Sequence, residues 1–473
     1  MFEKIQRFIV TILKQEYARA SIYYVIANIL GQGIVLISSA WFTRMMSKAE
    51  YGLVSTYSTW VLVLNTFICL NLFITVRTAY VDFKDDYDNY NSSVLLLSIL
   101  CGIVMTMLII GITSLGRLKF GTYEVLLACV QSVALNIVNY MLAVQAMKNE
   151  YRQRTFMMIA PNWTHTIFSV VLMFVFVQNL YLAKIAGNAF GLLVFGLACA
   201  VLIFRKARPR IIKEYWKYSL KISIPSIFNT LSDLILMQCD RLMLTSLAGT
   251  EETAEYSVIY NVSSIIVAIY QAINGAWLPW FFGKVKNNKA EDIKKYQGYY
   301  MLLFSVFSCG MMTISPELIK IMSPRNYWGG IRYVAPIVVA SYLIYLYAFF
   351  SSYLLYEKKT GRIAINTIIA AVLNIVLNYV FIPEYKAVGA VIATVVSYVV
   401  LFLLHLIAVV RKGKNYFSYA KTWFNFACVV MYGVLFNLVK DFGIIRYLLF
   451  GIIVIIIYWG MGKTIINEIT RED

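Results

Sequence analysis

Residues 94–114 read VLLLSILCGIVMTMLIIGITS and contain no charged side chain. A helix of about 20 apolar residues is long enough to cross the hydrocarbon core of a bilayer. About fourteen stretches of this kind follow one another between Ser21 and Thr464, separated by short loops. Because a helix in lipid satisfies its own backbone hydrogen bonds, this pattern predicts an all-α, polytopic membrane protein.

The composition of the chain agrees with this fold class. Of the 473 residues, 60% are apolar and only 14% are charged. No stretch between the apolar segments is long enough to form a soluble domain, so the function must lie within the helical bundle. The predicted spans are 21–45, 52–76, 94–114, 125–147, 155–177, 182–204, 218–247, 254–282, 299–322, 333–356, 364–382, 387–410, 423–439 and 445–464.

Basic residues lie mainly in alternate loops. The net charge of +18 would suit a nucleic-acid partner if the positive charges were clustered in one domain, but they are not. About 30 Lys and Arg lie in loops on the side of the N-terminus and about 11 on the other side. We therefore expect a multi-pass protein of the cell membrane with both termini in the cytoplasm and no nucleic-acid partner.

Residues 1–20 mix apolar and basic side chains at helical spacing, which predicts a cytoplasmic interfacial helix.

The chain contains an internal repeat with a shift of about 205 residues. The stretch AEYGLVSTYSTWVLVLN from Ala49 resembles AEYSVIYNVSSIIVAIY from Ala254, and three further pairs of stretches keep the same order. The repeat predicts an N-lobe of six helices at 21–210, a C-lobe of six at 211–412, and two more helices in 413–473. Because six is even, the lobes are parallel repeats related by a pseudo-twofold axis along the membrane normal. Such halves enclose a central cavity, which a rocking motion exposes to each side in turn.

Two motifs carry a resemblance to a known family. A first helix with Asn28 and Gly31 leads into TRMMSKAEYG, residues 43–52, and YVDFKDDYDNYNSS covers residues 80–93. In combination they resemble the O-antigen and capsule-type polysaccharide flippases of the multidrug/oligosaccharidyl-lipid/polysaccharide exporter superfamily. The resemblance covers essentially the whole chain. It implies a V-shaped fold and the movement, by alternating access, of a polyprenyl-pyrophosphate-linked oligosaccharide from the cytoplasmic to the outer leaflet of a bacterial membrane.

Two predicted spans carry polar side chains at the same spacing. In the seventh span Asn229, Asp233 and Asp240 are separated by four and seven residues, so they share a face within about 40°. The first span has the same spacing at Asn28, Gln32 and Ser39. These two polar stripes, one on each span, either line the cavity and bind sugar hydroxyls, or hold helices together through hydrogen bonds of about 0.6–2 kcal/mol.

The pyrophosphate of such a substrate requires arginine or lysine at the interface or within the cavity. Arg77 lies at the inner end of the second predicted span, and Arg44 and Arg241 lie toward the outer ends of the first and seventh. Each arginine is alternatively an anchor at the membrane surface, and Arg241 alternatively pairs with Asp240.

Three other functions are compatible with a polytopic bundle. A cation-coupled multidrug exporter of the same superfamily would use Asp233 as its proton or sodium switch. A membrane enzyme acting on lipid-linked sugars would need a clustered acid, base or metal site, and the sequence contains no such motif. We therefore expect no enzymatic activity, catalytic residue, metal or cofactor. A structural scaffold would leave the intramembrane carboxylates and the repeat without a purpose.

The expected partners follow from the flippase hypothesis. They are the lipid-linked oligosaccharide, membrane lipids and other proteins of polysaccharide assembly. The driving force has several alternatives, because a charge crossing 100 mV gains about 2.3 kcal/mol. Voltage, a gradient of H⁺ or Na⁺, or consumption of the product outside would each suffice.

Overall fold

The computed structural model describes residues 16–114, 121–413 and 416–462. Every regular element within these residues is helical, as predicted. Most of the predicted interfacial helix at 1–20 lies outside the described residues. The π-helical turn Tyr458–Gly462 is the last described element.

The α-helices of this part of the chain are numbered in order. They are α1 (Glu16–Met45), α2 (Lys48–Ile68), α3 (Thr75–Asp82), α4 (Tyr87–Ser114), α5 (Thr122–Met147), α6 (Tyr151–Val175), α7 (Leu180–Lys206), α8 (Lys213–Leu247), α9 (Thr250–Lys286), α10 (Ala290–Met322), α11 (Val334–Tyr356), α12 (Thr360–Val410), α13 (Tyr419–Val439) and α14 (Gly443–Ile457). Short 3₁₀ segments cover Leu72–Ile74, Lys84–Asp86 and Arg325–Tyr333.

Eleven helices of the described residues are long and apolar enough to cross a membrane, and one bent pair raises the number to twelve. The chain is a polytopic membrane protein, but the predicted number of fourteen spans is not confirmed. The element α12 consists of two helices that meet at a kink at Lys386 (φ 51°, ψ −129°), and they correspond to the predicted spans 364–382 and 387–410. Helix α9, which covers the predicted span 254–282, is not among the eleven.

The helices group into two compact units. Of the described residues, unit 1 contains 16–38 and 45–242, and unit 2 contains 39–44 and everything from Met243 onward. Most of α8 is therefore packed within unit 1, although the repeat assigns this helix to the second lobe. The domain boundaries drawn from the repeat, near residues 210 and 412, stay a prediction.

The core of unit 1 is built by α4, α5 and α7. Val94 and Val138 are among its buried aliphatic side chains, and Tyr90 and Tyr140 are fully buried beside them. The hydroxyl of Tyr140 donates to Asn91 Oδ1 at 3.3 Å. A buried phenol needs such a partner, because an unbonded hydroxyl in an apolar interior costs free energy.

A break in the helix follows α2. The sequence predicts one continuous span at 52–76, but α2 ends at Ile68 and the next helical segments are bent away by 67°. Leu70 and Asn71 adopt left-handed backbone angles, with φ of 52° and 54°. Asparagine tolerates this conformation better than other residues with a Cβ. The bend sends α3 in a new direction and places its side chains differently from those of a straight span.

Unit 2 is organised around α11. Most of this helix is buried, and its sequence is apolar on every side, which suits a helix surrounded by others. Aromatic side chains fill the space around it: the rings of Phe304 and Tyr345 stack with centroids 4.0 Å apart, and the Trp277 ring meets Phe349 at 4.9 Å. These contacts join α9 and α10 to α11.

Candidate substrate-facing site

The middle of α8 carries two exposed polar side chains. Asn229 and Asp233 lie one turn apart on the surface of unit 1, and neither has a side-chain partner among the described residues. Since α8 has 35 residues, Asp233 lies close to its midpoint. A carboxylate facing hydrocarbon near the middle of a bilayer is costly. We therefore expect this face of unit 1 to border water or a polar ligand.

A neighbouring face of α8 packs against the break that follows α2. The amide Nδ2 of Asn71 donates to Thr230 Oγ1 at 2.9 Å and to Ser226 Oγ at 3.2 Å. Farther along the helix, Ser219 Oγ lies 2.6 Å from the hydroxyl of Tyr90. These hydrogen bonds orient α8 and thereby direct Asn229 and Asp233 away from the core of unit 1.

The acidic motif at residues 80–93 holds the start of α8. The hydroxyl of Tyr218 donates to Asp82 at 2.5 Å, and that of Tyr215 donates to Asp86. Trp216 Nε1 donates to the carbonyl of Ser93 at 3.0 Å. The motif that carries part of the family resemblance is thus engaged in packing α8 against unit 1.

Arg77 lies on α3, just after the break. Its side chain is exposed and has no hydrogen-bond or ion-pair partner within the described part of the chain. An exposed guanidinium that no carboxylate engages can bind a phosphate group through two parallel hydrogen bonds. Of the three arginines predicted to bind pyrophosphate, Arg77 is the one whose guanidinium forms no hydrogen bond or ion pair within the described part of the chain.

The other two arginines are engaged. The Arg44 guanidinium donates to the backbone carbonyl of Ile321 at 2.6 Å, and the Thr43 hydroxyl donates to the backbone carbonyl of Met322 at 2.8 Å. These carbonyls end α10, so Thr43 and Arg44 cap its C-terminus, where a cation also meets the negative end of the helix dipole. Arg241 is half-buried and donates to Gln238 Oε1 at 2.8 Å.

The two predicted polar stripes do not behave as uniform faces. Asp240 is 2% exposed and has contacts of its own, in contrast to Asp233 on the same helix. On α1, Asn28 is half-buried in unit 1, whereas Ser39 is buried and belongs to unit 2. The side chain of Gln32 lies outside the described residues. Periodicity predicts which residues share a face but not which of them a neighbour covers.

A buried polar cluster between α6 and α7 was not among the predicted sites. Lys184 is 7% exposed, and its Nζ donates to Asn188 Oδ1 at 3.3 Å. Ser169 Oγ lies 3.0 Å from the same oxygen, and His165 Nε2 lies 3.4 Å from Asn162 Oδ1. The signal in the sequence was a lysine within the predicted apolar span 182–204.

No group of three or more His, Cys, Asp or Glu side chains in residues 16–114, 121–413 and 416–462 could hold a metal ion. On the described surface of unit 1, Asn229, Asp233 and Arg77 expose an amide, a carboxylate and a guanidinium. Such groups can hydrogen-bond hydroxyls and phosphate oxygens.

The helical arrangement is similar to those of solved transporters. A structure described as lipid II flippase MurJ, in an inward closed conformation, superposes with a TM-score of 0.72 at 14% sequence identity, over 94% of this chain and 100% of that one. An inward-facing multidrug resistance MATE family transporter of the MOP superfamily gives a TM-score of 0.60 at 13% identity, over 83% and 98% of the two chains. At such identities the likeness concerns the fold alone.

Sequence comparison identifies a relative and a family. The chain is 22% identical, over 89% of its length and 90% of the relative, to a protein of Haloferax volcanii described as a probable low-salt glycan biosynthesis flippase, Agl15. The model of the family described as Polysaccharide biosynthesis protein matches residues 17–283, which is more than half of the chain. The chain therefore belongs to the polysaccharide biosynthesis protein family.

Proposed function

We propose that this protein is a flippase that carries a polyprenyl-pyrophosphate-linked oligosaccharide from the cytoplasmic to the outer leaflet for the synthesis of a surface polysaccharide. Membership of the polysaccharide biosynthesis family supports the proposal, as does a relative described as a glycan biosynthesis flippase. We place the protein in the cell membrane with both termini in the cytoplasm, on the basis of the distribution of basic loops.

The observation that carries the proposal is the exposed pair formed by Asn229 and Asp233 in the middle of α8, which has no side-chain partner in the part of the chain that the structure describes. Each sugar hydroxyl buried without a hydrogen bond costs about 2–7 kcal/mol. A polar, hydrated face offers replacement hydrogen bonds and removes most of this cost. The headgroup would pass along this face while the polyprenyl chain stays in lipid. The step requires alternating access and no covalent chemistry or cofactor.

Arg77 is the arginine that we assign to the incoming pyrophosphate. It is exposed and unpaired in the described part of unit 1, and it lies beyond the inner end of α2 in the predicted topology. Arg44 and Arg241 already donate to acceptors of the protein, so a substrate would have to compete for them. Asn28, Gln32, Ser39 and Asp240 stay predicted cavity residues, of which Ser39 and Asp240 would have to become accessible.

The test is export of the lipid-linked oligosaccharide in cells. Depletion of the protein should make this intermediate accumulate in the inner leaflet. The double variant Arg77→Gln/Asp233→Asn should do the same while the protein remains in the membrane. A matched control is Arg362→Gln/Glu384→Gln, which removes one charge of each sign from exposed positions of unit 2. Normal export by the first double variant would reject the site.

A cation-coupled multidrug exporter is the second candidate function. The exposed Asp233 favours it, because a carboxylate in that position is able to bind a proton, Na⁺ or an organic cation. Vesicles containing the wild-type protein or Asp233→Asn distinguish the two functions. Uptake of an organic cation that depends on Asp233, with unchanged oligosaccharide export in Asp233→Asn cells, would favour the exporter over the flippase.

A further inference from the structure

Unit 2 has a groove at the end that the predicted topology places outward. Its volume is about 470 Å³. It lies between the 3₁₀ segment before α11, the half of α12 that follows Lys386, and the end of α13. No residue of the predicted site in α8 or α3 lines it. The predicted transport site in α8 and α3 therefore does not account for the presence of this groove.

One wall of the groove is aliphatic. Val391, Ile392, Val395 and Val396 follow one another at spacings of one, three and one residues and so form one side of α12. From Val388 to Val396 the helix rises about 12 Å. This length is less than half of the hydrocarbon thickness of about 30 Å. The wall thus offers an apolar track that is confined to one leaflet.

Two cations lie at the other side of the groove. Arg332 is exposed, its Nη2 donates to the hydroxyl of Tyr333 at 2.6 Å, and its guanidinium lies 4.9 Å from the centre of the Tyr333 ring. Lys440 is half-buried, and its carbonyl accepts from Arg446 Nη1 at 2.7 Å, which fixes the backbone there. Neither cation forms an ion pair within the described residues.

The nearby acidic residues of the described chain form no ion pair with Arg332 or Lys440. Glu252 binds Lys386 at 3.5 Å, and Glu255 is buried with contacts of its own. Asp441 follows Lys440 in the chain but does not line the groove. Two positive charges and an aliphatic wall thus line the same groove, which is a combination complementary to a lipid with an anionic head and a long chain.

We propose that the groove binds one anionic phospholipid of the outer leaflet. Its phosphate lies between Arg332 and Lys440, and one acyl chain lies along the aliphatic wall of α12. A sugar or a polar peptide is a poor occupant, because a mostly aliphatic wall would leave its hydrogen-bonding groups unpaired. The proposal does not depend on the flippase function, since no residue of the predicted transport site lines the groove and lipid binding requires no transport.

Native mass spectrometry of the purified full-length protein tests the proposal. Phosphatidylglycerol and phosphatidylcholine with identical acyl chains are titrated separately. We expect one phosphatidylglycerol to be retained at least tenfold more tightly than phosphatidylcholine. Arg332→Gln/Lys440→Gln should abolish this difference. The control Lys320→Gln/Arg325→Gln removes two exposed cations from the same end of unit 2, outside the groove, and should retain it.

A third variant tests the apolar wall without touching the charges. Ile392 is exposed, so Ile392→Trp should fill the groove, leave the elution profile of the protein unchanged, and lower phosphatidylglycerol retention at least fivefold. Three results would overturn the proposal: equal retention of the two lipids by the wild type, equal losses in the two double variants, or displacement of phosphatidylglycerol by inorganic phosphate. The double variants decide the matter if Ile392→Trp fails to fold.

Discussion

Residues of the same chemical type have different environments in this protein. Asp233 and Asp240 are seven residues apart on α8, yet the first is exposed and the second is buried. Arg77 is exposed and has no hydrogen-bond or ion-pair partner among the described residues, whereas Arg44 caps α10. The sequence predicted all four as candidates from their residue types and spacing. Their different roles follow from which other helices lie beside them, and that information is not contained in a local pattern.

Asn71 provides a test at the scale of a single residue. Asn71→Ala removes two hydrogen bonds to α8 and places alanine, which tolerates the left-handed region less well than asparagine, at a φ of 54°. We expect a loss of about 1–3 kcal/mol, because a buried hydrogen-bonded group loses its partners. Asn71→Gly, which tolerates this φ, should lose about 1 kcal/mol less. Thermal unfolding in detergent measures both losses.

The control for this experiment is Asn229→Ala. The same side chain is removed from the same region of unit 1, but from an exposed position without a partner in the described residues. Its unfolding temperature should equal that of the wild type, since surface substitutions usually change stability by less than about 0.5 kcal/mol. Equal destabilisation by Asn71→Ala and Asn229→Ala would contradict the assigned role of Asn71.

At the scale of elements, α6 and α7 pack unusually closely. Gly187 faces the backbone of Ser169, and Gly191 faces the backbone of His165. A spacing of four residues places both glycines on one side of α7, which is the arrangement that lets membrane helices approach each other. This contact brings Ser169 of α6 next to Lys184 and Asn188 of α7 and so creates the buried polar cluster.

Gly187→Ala tests this contact. The added Cβ would overlap the backbone of Ser169, so the two helices would have to move apart. Overpacking of this kind typically costs about 1–3 kcal/mol. The matched control is Gly111→Ala in α4, where a Cβ would meet no atom within 4 Å. A lower unfolding temperature in detergent for the first variant only is the expected result, and equal temperatures for both would refute the close approach.

At the scale of the whole molecule, the order and length of the spans are the features that persist. The chain retains the helical arrangement of solved transporters at 13–14% sequence identity. Membrane proteins allow this, because an apolar helix of sufficient length is required at each crossing while the particular apolar residues are not.

Fusions to a fluorescent protein that matures only in the cytoplasm test the predicted topology. Fusion after Asp473 should fluoresce, because the distribution of basic loops places the C-terminus inside. Fusion of the segment ending at Gly249, between α8 and α9, should remain dark, because this loop is predicted to face outward. The reverse pattern would invert the topology and exclude Arg77 from the cytoplasmic side.

The sequence by itself determined that this chain is a helical, polytopic membrane protein. Each crossing segment must satisfy its own backbone, so length and apolarity suffice to reveal it. Only the tertiary structure decided the break at Leu70 and Asn71, the exposure of Asp233, the capping of α10 by Arg44 and the burial of Lys184. These features depend on which helices lie side by side, and contacts between residues far apart in the chain leave no periodic signal in the sequence.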